Sequence, residues 1–467
     1  MNTKFIAVLA VVVLVAAGAG AAYFVLDKEE GIVFDDPAVF PMDSLQIFGN
    51  ANGDWTIDEQ DIQYIQDIID GKKEKTVFAD ANRDGKIDEK DIDQVNRIIT
   101  RGGLKHIWLV DGNNTVKKIR TKIDRIGAEY FSNTELMLIL GLKDKVYAVD
   151  YAPYQCRDAY FGAGAATIKN LGNMSTPNYE ELVAMNLDII LTFSYNGADV
   201  KQDKMGSKTD VLYLGMYRPD LVNPESSEYF QGILKAGYIF NKVDRAEAYK
   251  EWLLQQRTAI LEKTGTLQDS EKPKVLMTNF RQTYFQDGTT QDLSVYTSVD
   301  PQTQACMLAG GKPIAESILP KETWEGGPNR TVYGTKVGIE TVKGAKPDYV
   351  FCHLVRHTFG GTTLADTPDH GLTVNDNTSM ETAYNTAVAN AATLKLDTTI
   401  TLMAGDFRNG ATGGVLHAAY IAKIINPELG TPDPVAMHET YVNDWLGLKD
   451  YDFYQKGVFT YPDLRPQ

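Results

Sequence analysis

Three cysteines in 467 residues, Cys156, Cys306 and Cys352, are too few for a disulfide framework, so the fold has to rest on its core. At most one bridge is open to them, Cys156–Cys306. Cys352 lies inside the apolar run Tyr349–Val355 and reads as a small buried hydrophobe. No cysteine lies near the apolar N-terminus, which excludes a lipid-modified anchor there. Basic charge is also short. Lys and Arg number 46 against 62 Asp and Glu, a net charge of −16, and without a basic face nucleic acid is not an expected partner. The catalytic signatures are missing too. There is no Gly-x-Ser-x-Gly elbow, no Walker loop and no His-Glu-x-x-His. Gly162-Ala-Gly164 lacks the third glycine and the preceding strand that a dinucleotide loop needs.

What is present begins with Phe5–Leu26, twenty-two uncharged and mostly apolar positions after Lys4 and before Asp27-Lys28-Glu29-Glu30. That length spans a bilayer as a helix. Residues 1–30 are therefore expected to be a membrane anchor or a signal peptide, with the anchor favoured because the apolar run passes beyond Ala16–Ala22. Either way the remainder is exported, to the cell surface or a periplasm-equivalent space, membrane-anchored or secreted.

Two twelve-residue loops repeat thirty residues apart, Asn50–Asp61 and Asp80–Asp91. In the second, Asp80, Asn82, Asp84, Asp88 and Asp91 stand at positions 1, 3, 5, 9 and 12, with Gly85 at position 6. Lys86 holds position 7, where the main-chain carbonyl is the ligand. A hard cation needs six to eight convergent oxygens, and this spacing supplies them. The first loop offers Asn50, Asn52, Asp54, Thr56, Asp58 and Asp61, with a neutral residue at position 1 and Trp55 in place of glycine. Two Ca2+ sites are expected, the first weaker. The repeat continues past the ligands: Phe48 matches Phe78, and Ile62, Ile65, Ile68 and Ile69 match Ile92, Val95, Ile98 and Ile99, an amphipathic helix after each loop. Residues 45–103 resemble a dockerin module, an all-α calcium-binding unit. The resemblance implies a cohesin-like partner, met through Glu59, Gln60, Glu89 and Lys90 at positions 10 and 11 of the loops.

Beyond Gly102-Gly103 the chain alternates strands and helices. His106–Val110 and Val116–Ile119 flank Asp111-Gly112-Asn113-Asn114 as a hairpin. Strands are expected at Ile123–Ala128, Lys145–Val149, Asp188–Phe193 and Asp210–Leu214. Helices are expected in SNTELMLILGL, capped by Ser132 or Asn133, and in TPNYEELVAMNL. One long helix is expected over 226–264, with Gly237 as a candidate break. The alternation resumes with Val275–Asn279, Gln302–Ala309 and Tyr349–Val355. Such alternation implies parallel sheets covered on both faces.

These phrases resemble the helix-linked class of ABC-transporter substrate-binding proteins, which carry metal chelates. HIWLVDGNNTVKKI with the following IDRIGAEYFSNTELMLILGLKDKVYAVD looks like the opening of that family. NYEELVAMNLDIILT and VGIETVKGAKPDYVFC look like its helix-then-strand phrase, once per lobe. The resemblance covers residues 104–467 and implies an α/β fold of two Rossmann-like lobes, 104–225 and 272–467, joined by the helix 226–264. It further implies a ferric siderophore, haem or corrinoid as the small-molecule partner, an ABC permease as recipient, and no catalysis. Ligands of open α/β sheets lie beyond the carboxyl ends of strands. The residues expected to bind are therefore Tyr151, Tyr154, Arg157, Tyr195, Arg218, Arg281, Tyr284, Arg356 and His357, tyrosines for flat apolar faces and arginines for anions. The competing class is a secreted dockerin-bearing hydrolase acting on glycans.

Overall fold

The computed structural model describes residues 40–465 apart from 194–197, 328–329, 356–357, 360–361 and 364–367. It divides the chain into two compact units, Met1–Lys122 with Tyr238–Asn241, and Ile123–Gly237 with Lys242–Gln467.

In the first unit each loop is followed by a helix, Glu59–Ile69 and Glu89–Thr100. Both helices start from the same device. Asp58 caps the first, accepting from Gln60 N, and Asp61 accepts in return from Asp58 N at 3.0 Å; Asp88 and Asp91 repeat it. Burial follows the same register in both, Ile65 and Ile68 in one, Val95 and Ile98 in the other. The matched Phe48 and Phe78 meet edge to face at 5.3 Å. The hairpin formed by His106–Val110 and Val116–Arg120 also belongs here, against the expectation that it opens the first lobe. Phe48 N donates to Trp108 O at 3.0 Å and Val110 N to Gln46 O at 3.1 Å. Val110 joins Phe40, Phe48 and Phe78 in one core. The unit is thus not purely helical: beside its two helices a strand pair packs with the matched phenylalanines, and the division falls after Lys122.

The second unit holds two five-stranded sheets, one in each lobe, besides two short strand pairs. In the first lobe the order is Lys169–Asn170, Val146–Val149, Ile126–Ala128, Ile189–Thr192, Asp210–Tyr213, all parallel. In the second it is Lys312–Pro313, Lys274–Asn279, Tyr349–His353, Thr399–Met403, Thr460–Tyr461, parallel except for the last. Near-continuous burial of Ile189–Thr192 and Val350–His353 explains why both strands read as apolar runs rather than alternating ones. Two α/β lobes are as expected.

The single linking helix is not. It is two helices, Glu228–Phe240 and Val243–Thr264. The chain turns at Asn241, whose φ is 56°, and Lys242 N donates back to Gly237 O at 2.7 Å, the six-to-one bond that ends many helices. Gly237 is not the break. A Cβ there would lie 2.6 Å from the Ala246 Cβ, so the glycine lets the two helices cross closely. The helix Tyr130–Ile139 also starts earlier than expected, with Glu129 rather than Ser132 or Asn133 at its cap position.

All three cysteines are free and buried, which leaves no bridge. Among the described residues no helix is long and apolar enough to cross a membrane; the apolar segment Phe5–Leu26 lies outside them.

Candidate functional site

The carboxyl ends of the first lobe's strands carry a buried charged floor. Glu129, directly after Ala128, accepts from Thr192 Oγ1 at 2.9 Å, from Phe193 N at 3.1 Å, and from Lys201 Nζ. Asp150, directly after Val149, is buried with one carboxylate oxygen unpartnered. Burial, and after it the nearby Glu129 charge, push its pKa well above the ordinary carboxylate range.

Above this floor stand aromatic rings from both lobes. Tyr130 lies 4.1 Å from Phe193 and edge-on to Tyr217 at 5.8 Å, centroid to centroid. Tyr217 in turn meets Tyr333 of the second lobe at 5.7 Å. Arg408, which follows the strand Thr399–Met403, places its guanidinium 5.2 Å from the Tyr217 ring and 5.1 Å from Tyr296. Asp300 is fully buried and holds Arg408 at 2.6 Å. Burial alone lowers the pKa of Arg408, but Asp300 and the two tyrosines outweigh it, so the group remains a cation. Tyr130 Oη donates to Asn409 Oδ1 at 2.6 Å, a direct bond between the lobes. Phe193, Tyr217, Tyr333 and Arg408 are half-buried, so the wall they form remains reachable. At its rim a pocket of about 130 Å³ is lined by Arg218, Asp220, Ser227, Glu228, Arg330 and Tyr333.

His353 ends the central strand of the second lobe, 2% exposed, with Nδ1 unpartnered. Burial first, then Arg408, His417 and His370, depress its pKa well below the ordinary value, so it stands as neutral imidazole. Tyr217 is pushed the other way, above the usual phenol range, by burial. Neither group changes charge near neutrality. The wall therefore offers flat apolar faces, hydroxyls and a fixed cation.

The expected site residues divide. Arg218 is at the cleft, donating to Tyr333 Oη at 3.1 Å and paired with Glu228 at 3.1 Å. Tyr151 and Tyr154 are half-buried on the helix after Val149. Arg157 lies over the Tyr154 ring at 4.3 Å and donates to Tyr154 O, so these two are engaged with each other. Arg281 is exposed on the turn after Asn279. Tyr284 is a correction: it packs in the second lobe's core with Phe280 and Phe285, because the short helix Tyr284–Asp287 turns it inward. Tyr195, Arg356 and His357 lie outside the described residues. Sequence reading passed over Tyr130, Tyr296, Tyr333 and Arg408. The first sits in a segment read as lying ahead of its helix, and the last follows a strand, Thr399–Met403, that was not recognised.

In the first unit the loop carboxylates bear on a calcium role in two opposite ways. Asp61 and Asp91 are fully buried, and burial, with smaller contributions from Asp54 and Asp58 or from Asp80 and Asp84, raises each to about 6. Asn50 Nδ2 is tied to Leu45 O and Asp54 O, which leaves its Oδ1 buried and unpartnered. Crowded like charges beside an orphaned oxygen fit a cation. Against this, Asp80 gives its oxygens to Asp84 N and Gly85 N, and among the described residues no three acidic, His or Cys side chains are gathered as a metal-holding group. Filling the second loop would require Asp80 to leave those amides.

No protein-family model and no curated protein matches the chain. Solved structures do resemble it. A TroA-like periplasmic binding protein from Veillonella parvula superimposes with a TM-score of 0.53 at 14% identity, over 76% of this chain and 98% of its own. A molybdate periplasmic binding protein from Haemophilus influenzae gives 0.52 at 13% identity, over 73% and 98%. An ABC-transporter solute-binding protein from Sulfurospirillum deleyianum gives 0.50 at 14% identity, over 74% and 98%. At these identities the likeness establishes the fold: the α/β architecture with its parallel sheets is that of the TroA-like periplasmic binding proteins.

Proposed function

We propose that the chain is an extracytoplasmic solute-binding protein that delivers a metal chelate, such as a ferric siderophore, haem or a corrinoid, to an ABC permease. The observation that carries this reading is the aromatic cleft between the lobes, with Arg408 set among tyrosines at the carboxyl ends of two parallel sheets. Flat rings match the ligand's organic frame, and the cation matches its negative charge. Purified protein titrated with haemin, ferrioxamine B and cyanocobalamin should show saturable quenching of intrinsic fluorescence with one of them. Binding of molybdate alone, or sugar release from a glycan panel, would overturn the chelate.

The N-terminal module belongs to the same proposal as a Ca2+-dependent anchor to a cohesin-like partner, with the chain held to its membrane by residues 1–30 or secreted after their removal. Both loops would hold Ca2+ through the residues named above, the second more tightly because Gly85, at φ 86°, relaxes its turn where Trp55 stands in the first. Ca2+ at a hundred times its Kd should stabilise the module by about 2.7 kcal/mol per site. Asp91→Asn should remove more of that gain than Asp61→Asn, read by thermal unfolding of residues 40–122 against a chelator control. Equal curves with and without Ca2+ would remove the metal.

The pH dependence has a definite sign. In chelator, the folded values of about 6 for Asp61 and Asp91 exceed the ordinary 3.8. Their contribution is present below about pH 4 and is lost as the pH rises through 6, because the buried carboxyls must then ionise. Ca2+ neutralises the ionised form, so its benefit should grow over the same interval. A benefit independent of pH between 4 and 7 would contradict those two ligands.

A further inference from the structure

Tyr130 has a φ of 68°, a left-handed backbone in a bulky aromatic residue. Such a conformation is strained in a bulky residue and persists only where the surroundings impose it. They do so here. Glu129 N donates to Leu191 O at 3.0 Å, the Glu129 carboxylate is held by Thr192, Phe193 and Lys201, and Glu129 O accepts from Asn133 Nδ2 at 2.9 Å. Thr134 Oγ1 then donates to Tyr130 O at 2.9 Å, fixing the far side. The chain is pinned immediately before and after Tyr130, so residue 130 must take up the turn. The turn sends its ring over Phe193 and its hydroxyl across the cleft to Asn409 Oδ1. Asn409 is the neighbour of Arg408, the fixed cation of the site.

We propose that Tyr130 is the gate of the cleft: its hydroxyl, latched to the Asn409 amide oxygen, transfers to an acceptor oxygen of the ligand on binding. The inference rests on the solute-binding reading and narrows it. The amide oxygen of Asn409 stands in for the group the ligand brings, a carbonyl, hydroxamate or carboxylate oxygen presented beside Arg408. The strain is what makes the tyrosine available. A relaxed residue 130 would follow the helix direction and leave the opposite lobe unreached. The buried Glu129–Lys201 pair thereby acts as the mount of the gate, not as a ligand group.

The two ends of the latch have opposite consequences, which separates a gate from mere packing. Asn409→Ala removes the competitor and keeps the hydroxyl, so association should quicken and affinity should rise by several-fold. Tyr130→Phe keeps the ring and backbone but removes the hydroxyl, so dissociation should quicken and affinity should fall by about ten-fold. Stopped-flow fluorescence with haemin and with ferrioxamine B reads both. Affinity lowered alike by the two substitutions would make Asn409 a ligand contact and overturn the gate, as would rates unchanged in both.

A ligand-free arm keeps the two proposals apart. Tetranitromethane should nitrate Tyr130 faster in Asn409→Ala than in the unsubstituted protein, mapped by peptide mass spectrometry. Tyr130 equally protected in both overturns the gate. Faster nitration in a protein that binds neither probe upholds the latch and removes the chelate.

Discussion

Asp300→Ala should destabilise the second unit by about 3–5 kcal/mol, measured as a shift in the urea midpoint at constant slope. Asp300 is fully buried and meets Arg408 at 2.6 Å through one oxygen and 3.4 Å through the other. Removing it strands a guanidinium between two tyrosine rings with no counter-charge, and that unpaired cation is the larger part of the cost. Asp300 also begins the helix Pro301–Leu308, accepting from Gln302 N at 2.9 Å, which adds about 1 kcal/mol. Asp300→Asn separates the parts, because the amide oxygen still caps the helix while the charge is gone. Asparagine should therefore recover only the capping share. If asparagine restores full stability, the pair contributes nothing and Arg408 is solvated from the cleft side. On the proposed function, Arg408→Ala should abolish chelate binding, and it should also cost stability because it strands the fully buried Asp300 carboxylate.

What the sequence disclosed depended on how each residue's role is written in the chain. The calcium-like loops and their helices are repeated, so Phe48 and Phe78, or Ile65 and Val95, check one another, and their burial agrees position by position. Buried parallel strands such as Ile189–Thr192 and Tyr349–His353 are apolar enough to be read without context. The helix Thr378–Thr393 was missed because alanine and threonine fill it and only Met380, Ala387 and Ala391 are buried, leaving no apolar stripe to read. The hairpin Asp292–Tyr296 with Gly334–Gly338 joins strands almost forty residues apart, a pairing that no local turn signal announces. The split of the linking helix came from Asn241 at positive φ, a conformation that asparagine adopts more readily than most residues, so the local signal lay there and not at Gly237.

The candidate site was legible in kind and not in detail. Searching beyond strand ends found Arg218 and pointed to the stretch that holds Tyr217, but a strand end says nothing about which way a side chain turns. Tyr284 and Arg281 are three residues apart on one such segment, and the structure buries the first in the core and leaves the second in solvent. Tyr130 is the sharper case. Its place in the cleft follows from a backbone conformation imposed by Glu129, whose partners Thr192, Phe193 and Lys201 lie more than sixty residues away.

Glu135→Ala should lower the stability of the second unit by roughly 2–6 kcal/mol, because it takes the shared acceptor from two buried hydroxyls at about 1–3 kcal/mol each, while Ala411 N keeps Tyr441 Oη at 3.3 Å. Glu135 is 2% exposed and accepts from Tyr160 Oη at 2.5 Å, Tyr441 Oη at 2.6 Å and Ala411 N at 2.7 Å. Ala411 O takes two further hydroxyls, Tyr249 at 2.5 Å and Tyr229. One carboxylate on the first lobe's helix thus fastens the Asn409–Gly414 segment of the second, and a Cβ at Gly410 would lie 2.5 Å from Glu135 Oε2. Glu135→Gln decides what the carboxylate supplies. A glutamine can still accept from Ala411 N and Tyr441 and can donate to Tyr160 with that hydroxyl turned, so it should cost under about 1.5 kcal/mol if satisfied hydrogen bonds are what matter. If glutamine proves as damaging as alanine, the negative charge itself holds the lobes together. Fastening at Glu135 also fixes where Asn409 stands, so under the proposed latch Glu135→Ala should speed dissociation of the proposed chelate.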